Sequence, residues 1–347
     1  MMKSTRLPIS RRNLLKTAAA GAATLAMPTI WTTARAAASK RIVVRDDGGI
    51  YSKAYGAIFY KPFTEATGIQ VVGVQANAEP TAQIRSMVET GNYTWDMAKI
   101  SQPAILVLTA GDKVYLEKHG LESEPVIASI PPQYMSPYGV GNNVYSTVLA
   151  YRTDAFKGRR APASWADFWD VKNIPGRRGL RKHPFDTIEE ALMADGVAAD
   201  KVYPCDIDRA LASLDRVKPD VDVWWGSGAQ VEQMLTSGEV DMIATWVSRA
   251  QSAVANGAPV QVVWDQNIWG CDNWSILKGT PNADACREFI RFASDPKRQA
   301  ALVEFFAAGV TQPAAFDHIP AKIARDCPTH PDNIKTGLHI DAAYWLE

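Results

Sequence analysis

Residues 41–74, RIVVRDDGGIYSKAYGAIFYKPFTEATGIQVVGV, place a short β-branched run, a glycine loop, a helical segment and a second β-branched run in succession. Arg41 to Arg45 reads as a buried strand, and Asp46 to Ile50 as the loop that leaves it. The helix beyond stops at Gly68, because a residue without a Cβ suits the left-handed turn that ends a helix. Gln70 to Val74 is then the next strand. Alternation of this kind predicts an α/β architecture.

The same rhythm runs outward from this stretch. Glu79 and Pro80 open a helix in which Ile84, Met87 and Val88 share a face, Gly91 ends it, and Met97 to Ile100 follows as a strand. A Pro-rich stretch, Pro131 to Asn143, reads as a loop and as the place where the chain changes domain, before a strand from Ser146 to Arg152. Ser164-Trp165-Ala166-Asp167 fits a capping-box variant at a helix start. Strands are predicted at Val221 to Trp224, Met242 to Thr245, Val260 to Trp264 and Trp274 to Leu277. A helix after Ala229 ends at Gly238, and two more fill the span from about Ala283 to Ala308.

Toward the N-terminus the chain changes character. Ser10-Arg11-Arg12-Asn13-Leu14-Leu15-Lys16 resembles the twin-arginine export motif, with Leu14 where that motif usually has Phe. An Ala-rich apolar stretch from Thr17 to Ile30 and an A-x-A site at Ala34-Arg35-Ala36 follow, so residues 1–36 read as a signal peptide cut before Ala37, with Ala36-Ala37-Ala38 as a second register. Six of the 37 Lys and Arg lie in that leader with no acidic residue. The mature chain therefore holds 31 basic against 37 acidic residues, a net charge of −6. That balance argues against nucleic acid or an anionic membrane as partner. Export also exposes Cys205, Cys271, Cys286 and Cys327 to an oxidising compartment, where disulfides and buried free thiols are both open.

Motifs of local chemistry are missing. The sequence contains no G-x-S-x-G, H-E-x-x-H, P-loop or G-x-G-x-x-G, and its five histidines are scattered without metal-ligand spacing. The paired acids Asp46-Asp47 and Glu189-Glu190 read most simply as solvated faces. What stands out is tryptophan: Trp224, Trp225, Trp246, Trp264, Trp269 and Trp274 fall within about fifty residues, several at predicted strand ends, where open α/β sheets bind ligands. Aromatic faces there can hold an alkyl chain or a cationic amine, or simply pack. Trp246 and Trp269 are the best candidates, since each is expected to end a strand beside polar residues.

Several segments in order resemble the periplasmic solute-binding proteins of ABC importers, specifically the spermidine and putrescine branch. They are Phe63-Thr64-Glu65-Ala66-Thr67-Gly68-Ile69, Thr94-Trp95-Asp96-Met97, Ala163-Ser164-Trp165-Ala166-Asp167-Phe168-Trp169, Ser237-Gly238-Glu239-Val240-Asp241-Met242 and Gly257-Ala258-Pro259-Val260. The resemblance implies a two-lobed α/β fold of the type II periplasmic binding protein kind, each lobe a mixed sheet flanked by helices, with a ligand cleft at the hinge. It implies residues 39–147 with 272–310 as one lobe and 148–271 with 311–347 as the other. It also implies a monomer that makes and breaks no bond, needs no cofactor, and hands a solute to a membrane permease.

By the same resemblance, Trp246 matches a tryptophan that stacks on the ligand chain, while Asp272 and Asp186 match acids that hold ammonium groups. Tyr51 falls near an aromatic wall and Ser101 near a polar contact. Three positions depart from the pattern: His183 stands near the place of a polyamine-binding acid, Arg249 at the place of another, and Gly270 replaces an aromatic. An arginine there repels an ammonium and offers a fork to a carboxylate. The expected solute is thus a small amine that also carries an acidic group. The alternative is that Arg249 pairs with Asp186 or Glu232 and leaves an ordinary polyamine site. Two further readings are a secreted α/β enzyme using non-local residues, and a ferric-ion binder using Tyr134, Tyr138 and Tyr145.

Overall fold

The computed structural model describes residues 41–76 and 80–346. The leader, its cleavage site and Glu79 lie outside them. Among the described residues the strands are β1 Arg41–Asp46, β2 Gln70–Gln75, β3 Met97–Ser101, β4 Leu116–Glu117, β5 Met135–Ser136, β6 Gly139–Arg152, β7 Arg178–Arg181, β8 Val221–Trp225, β9 Met242–Trp246, β10 Val260–Leu277 and β11 Leu338–His339. Their main order is β2-β1-β3-β10-β6-β9-β7-β8. The sheet is mixed: β2, β1 and β3 are parallel at one side and β9, β7 and β8 at the other. The long antiparallel pair β6 and β10 joins the two sides.

Each side has its own core. Ile42, Val44, Phe59, Phe63, Trp274 and Phe289 pack under the first, with the second face of that sheet covered by Ile84, Ile100, Ile105 and Leu108. Leu149, Trp165, Phe168, Leu180, Leu192 and Met242 pack under the other, and Trp225, Val231, Leu235 and Ile243 cover its opposite face. Helices on both faces are what parallel strands require, since neither face can be left to water. Local signals in the sequence locate several helix ends. Gly68, Gly91 and Gly238 cap helices at φ 74°, 68° and 74°. Ser164 accepts from the Asp167 amide at 3.2 Å at a helix start.

Other expectations fail for identifiable reasons. Val260 to Trp264 and Trp274 to Leu277 are not two strands but the ends of one strand of 18 residues. Its polar middle is bridged by Asn267, which donates to the Trp264 carbonyl at 2.8 Å and accepts from Ser146 Oγ at 2.6 Å, while Gln266 takes φ 56°. The stretch from Pro131 is not loop throughout, since β6 starts at Gly139. Asn142 and Asn143 sit in that strand because the buried Tyr55 hydroxyl meets their side-chain oxygens at 2.5 and 3.0 Å. Strand β7 is hidden in the sequence by Arg178, whose buried guanidinium donates to the carbonyls of Phe168, Ile174 and Gly176. Asp46, Glu189 and Glu190 are not solvated faces: all three are fully buried. All four cysteines are free thiols in the structure.

Candidate functional site

Four strand ends open on one cavity of about 690 Å³. β1 delivers Asp47, β3 delivers Lys99 and Ser101, β7 leads through Arg181 to His183 and Asp186, and β9 leads through Trp246 to Arg249. Carboxyl ends of parallel strands are where chain direction reverses and side chains are left without a sheet neighbour. Asp272 enters from the middle of β10, opposite Ser101 of β3 and Asn143 of β6.

Seven of the eight expected residues meet here: Tyr51, Ser101, His183, Asp186, Trp246, Arg249 and Asp272 all line the cavity. Trp269 does not, and this corrects the reading of it as a site residue at a strand end. It lies inside β10 three positions from Asp272, so the two side chains point to opposite faces. Its ring is buried and stacks on His339 at 4.0 Å and 14°. Of Tyr134, Tyr138 and Tyr145, Tyr145 alone is among the lining residues.

The acids are not empty seats for an ammonium. Asp272 accepts an ion pair from Lys99 Nζ at 2.6 Å, and Lys99 also pairs with Asp47, which holds Arg45 at 3.0 Å. Lys99 further lies over the Tyr51 ring, 4.4 Å from its centre. Burial pushes the Asp272 carboxyl up, opposed by the Lys99 charge; burial also works against the Lys99 ammonium, but Asp272 and Asp47 outweigh it and hold the ammonium well above its ordinary value. Lys99 is therefore charged at neutral pH.

Asp186 is fully buried and takes Arg181 at 2.8 Å on one oxygen. Burial raises its carboxyl, against the Arg181 charge. Arg181 in turn spreads over the Trp246 ring at 4.9 Å, so the tryptophan face meets a cation of the protein itself. His183 sits at the kinked turn through Phe185 and Asp186 that precedes the regular helix ending at Ala194, its Nδ1 accepting from the Phe185 amide at 3.1 Å. Partial burial and the neighbouring Arg181 hold its imidazole below the ordinary value, so it is neutral at pH 7.

Arg249 differs from every other charge in the cavity. Neither Asp186 nor Glu232 pairs with it: Asp186 is on Arg181, and Glu232 accepts from Asn256 at 2.9 Å. No acid among the described residues reaches it, and its buried Nε has no hydrogen-bond partner. It packs against Gly228, where an added Cβ would lie 2.6 Å from Nε. It also sits in the first turn of the helix Val247–Ala255, whose start has no side-chain cap. A free guanidinium beside uncapped amides at a positive helix end favours a bound anion.

Residue reading missed Arg45, Asp47, Lys99, Arg181 and Tyr145. The last explains Gly270: an added Cβ there would lie 2.5 Å from the Tyr145 hydroxyl, so the aromatic missing at 270 is supplied across the strand pair, where Tyr145 faces Gly270. Nothing local signals that Lys99 and Asp272 meet.

A two-lobed α/β body with a charged cavity at strand ends defines a solute-binding protein, and the chain belongs to the family of bacterial extracellular solute-binding proteins, whose profile matches residues 59–326. The twin-arginine translocation signal matches residues 8–28, and the protein is exported to the periplasm by that route. A gamma-aminobutyric acid-binding protein of Pseudomonas aeruginosa is 35% identical over 322 residues, 91% of this chain and 90% of that protein. An ABC transporter substrate-binding protein from Bradyrhizobium japonicum superposes with a TM-score of 0.83 at 37% identity, covering 89% of this chain and 95% of that one. A structure described as a GABA receptor gives 0.79 at 32% identity, over 88% and 93%. The protein is thus a transport receptor and not an enzyme. Proteins of this class deliver small solutes to the membrane permease of an ABC importer.

Proposed function

We propose that this receptor binds a small solute with a carboxylate at one end and an ammonium at the other, of the 4-aminobutyrate type. The observation that carries the reading is Arg249, a cavity guanidinium with no acid partner among the described residues, at the uncapped start of the helix Val247–Ala255. It would take the carboxylate, with Asp186, whose Oδ1 has no hydrogen-bond partner, receiving the ammonium and the Trp246 and Tyr51 rings flanking the chain. His183 and Ser101 complete the polar wall. The similarity to gamma-aminobutyric acid-binding relatives supports the same class of ligand.

The protein would work as a monomer, without nucleic acid, closing two lobes on the solute by bending where β6 and β10 cross. Residues 39–147 with 272–310, and 148–271 with 311–347, are the proposed lobes. One refinement follows from packing: Val310, Ala315, Ile319, Ala324 and Cys327 pack on Ala300 and Val303, so residues 310–327 travel with the first lobe.

Calorimetric titration with 4-aminobutyrate, putrescine and spermidine tests this. Binding of the amino acid is expected, and Arg249→Gln should weaken it by about a hundredfold, close to 3 kcal/mol. Its melting temperature should stay near that of the wild type, because Arg249 has no ion-pair partner among the described residues to lose. Tight putrescine binding with no response to 4-aminobutyrate would refute the assignment.

A further inference from the structure

Three features that a free alkylammonium needs are gathered around the Lys99 Nζ. Two carboxylates from different parts of the sheet bracket it, Asp47 after β1 and Asp272 at 2.6 Å within β10. An aromatic face covers it, with Tyr51 at 4.4 Å. The lysine side chain is only 3% exposed, so its stem fills the approach from the β3 side. Sheet register fixes this arrangement: Lys99 lies opposite Trp274, and Asp272 is two residues along the same face of β10, the diagonal position that long side chains reach.

We propose that Lys99 is the residue that selects the class of solute, its tethered ammonium occupying the seat that one end of a diamine would require. This inference rests on the aminocarboxylate reading of the cavity and adds the reason a diamine is refused. The cavity wall carries four cations, Arg45, Lys99, Arg181 and Arg249, against three carboxylates, Asp47, Asp186 and Asp272. A diamine would bring two more positive charges into that field, while a zwitterion brings none. Attraction falls off with distance and burial strengthens it, so the nearest cation, Lys99, dominates at the Asp272 end. Without Lys99 the charges balance, and two carboxylates and an aromatic ring face an open space of ammonium size.

Charge and occupancy can be separated by substitution. Lys99→Ala removes both, whereas Lys99→Met removes the charge and leaves the space filled by an apolar chain of similar length. Titration of putrescine into the three proteins should show no binding by the wild type and a gain of at least about tenfold in Lys99→Ala over wild type, with no gain in Lys99→Met. Putrescine should also raise the melting temperature of Lys99→Ala and leave that of Lys99→Met unmoved, since a ligand stabilises the state it binds. Should Lys99→Ala fold poorly with two carboxylates facing each other, Lys99→Ala with Asp47→Asn relieves that repulsion and should show a smaller but measurable gain, since Asp272 alone then holds the ammonium. Wild-type protein binding putrescine as tightly as Lys99→Ala, or an equal gain in Lys99→Met, would overturn the proposal. So would a folded alanine variant, single or double, with no gain. Titration of 4-aminobutyrate into the wild type is the separate arm that reports on the site itself.

Discussion

Arg181 and Asp186 form an ion pair of 2.8 Å, and the turn that brings them together holds Asp186 at φ 72° and ψ −48°. That backbone conformation lies near the rare γ-turn, which strains any residue with a Cβ. A residue kept in it must be over-determined by its surroundings, and here the ion pair supplies the constraint. The strain sits directly on the cavity wall.

Backbone strain at this position can be measured apart from the lost charge. Asp186→Ala and Asp186→Gly both remove the carboxylate and leave Arg181 unpaired, but only glycine relieves the backbone. In urea denaturation Asp186→Gly should be the more stable variant by about 1 kcal/mol, opposite to the usual order of the two residues. Equal stabilities, or alanine ahead, would mean that the turn is not strained. Arg181→Ala, leaving a fully buried carboxylate without its cation, should cost about 3 kcal/mol or more.

One helical turn further on, Glu189 is fully buried and accepts from the Tyr203 hydroxyl at 2.6 Å and from Trp345 Nε1 at 2.8 Å. Burial pushes its carboxyl up to about 7, with Asp186 adding to the rise. A carboxyl whose folded value is raised binds more protons folded than unfolded, so its effect on stability improves as pH falls from about 7 toward the unfolded value of 4.5. Asp186 and Glu190 shift in the same direction, again through burial. Glu189→Gln should therefore be more stable than wild type at pH 8 and lose that advantage by pH 5, read as melting temperature against pH. An advantage that grew as pH fell would contradict the buried-acid account.

Trp269 separates packing from binding. Stacked on His339 and touching Tyr134 edge-on at 6.0 Å, it holds β10 to the C-terminal strand β11. Trp269→Ala should cost about 3–5 kcal/mol in chemical denaturation. Calorimetry on the folded variant should show a solute affinity within about threefold of wild type, because its ring faces away from the cavity. A hundredfold loss of affinity with little loss of stability would restore it to the ligand wall.

Much was legible in the chain alone. Gly68, Gly91 and Gly238 mark helix ends because a left-handed residue needs no neighbour to specify it, and β-branched runs mark strands because their pattern is local. The twin-arginine leader is likewise a contiguous signal read without any fold. Seven of the eight expected site residues line one cavity; the family resemblance names them, and all but Asp272, in the middle of β10, lie at or just after a strand end.

Only the tertiary structure decided how the charges are spent. Asp272 reads in sequence as an open acid, yet Lys99, 173 positions earlier, holds one of its oxygens at 2.6 Å. Glu189 and Glu190 read as a solvated pair, yet both are buried. Arg249 has Asp186 and Glu232 as plausible partners, yet it stands apart from both. Helix and strand propensities act over a few residues, while an ion pair depends on a distance of a few ångströms between elements far apart in the chain. That distance is set by sheet register, and the sequence of either partner does not contain it.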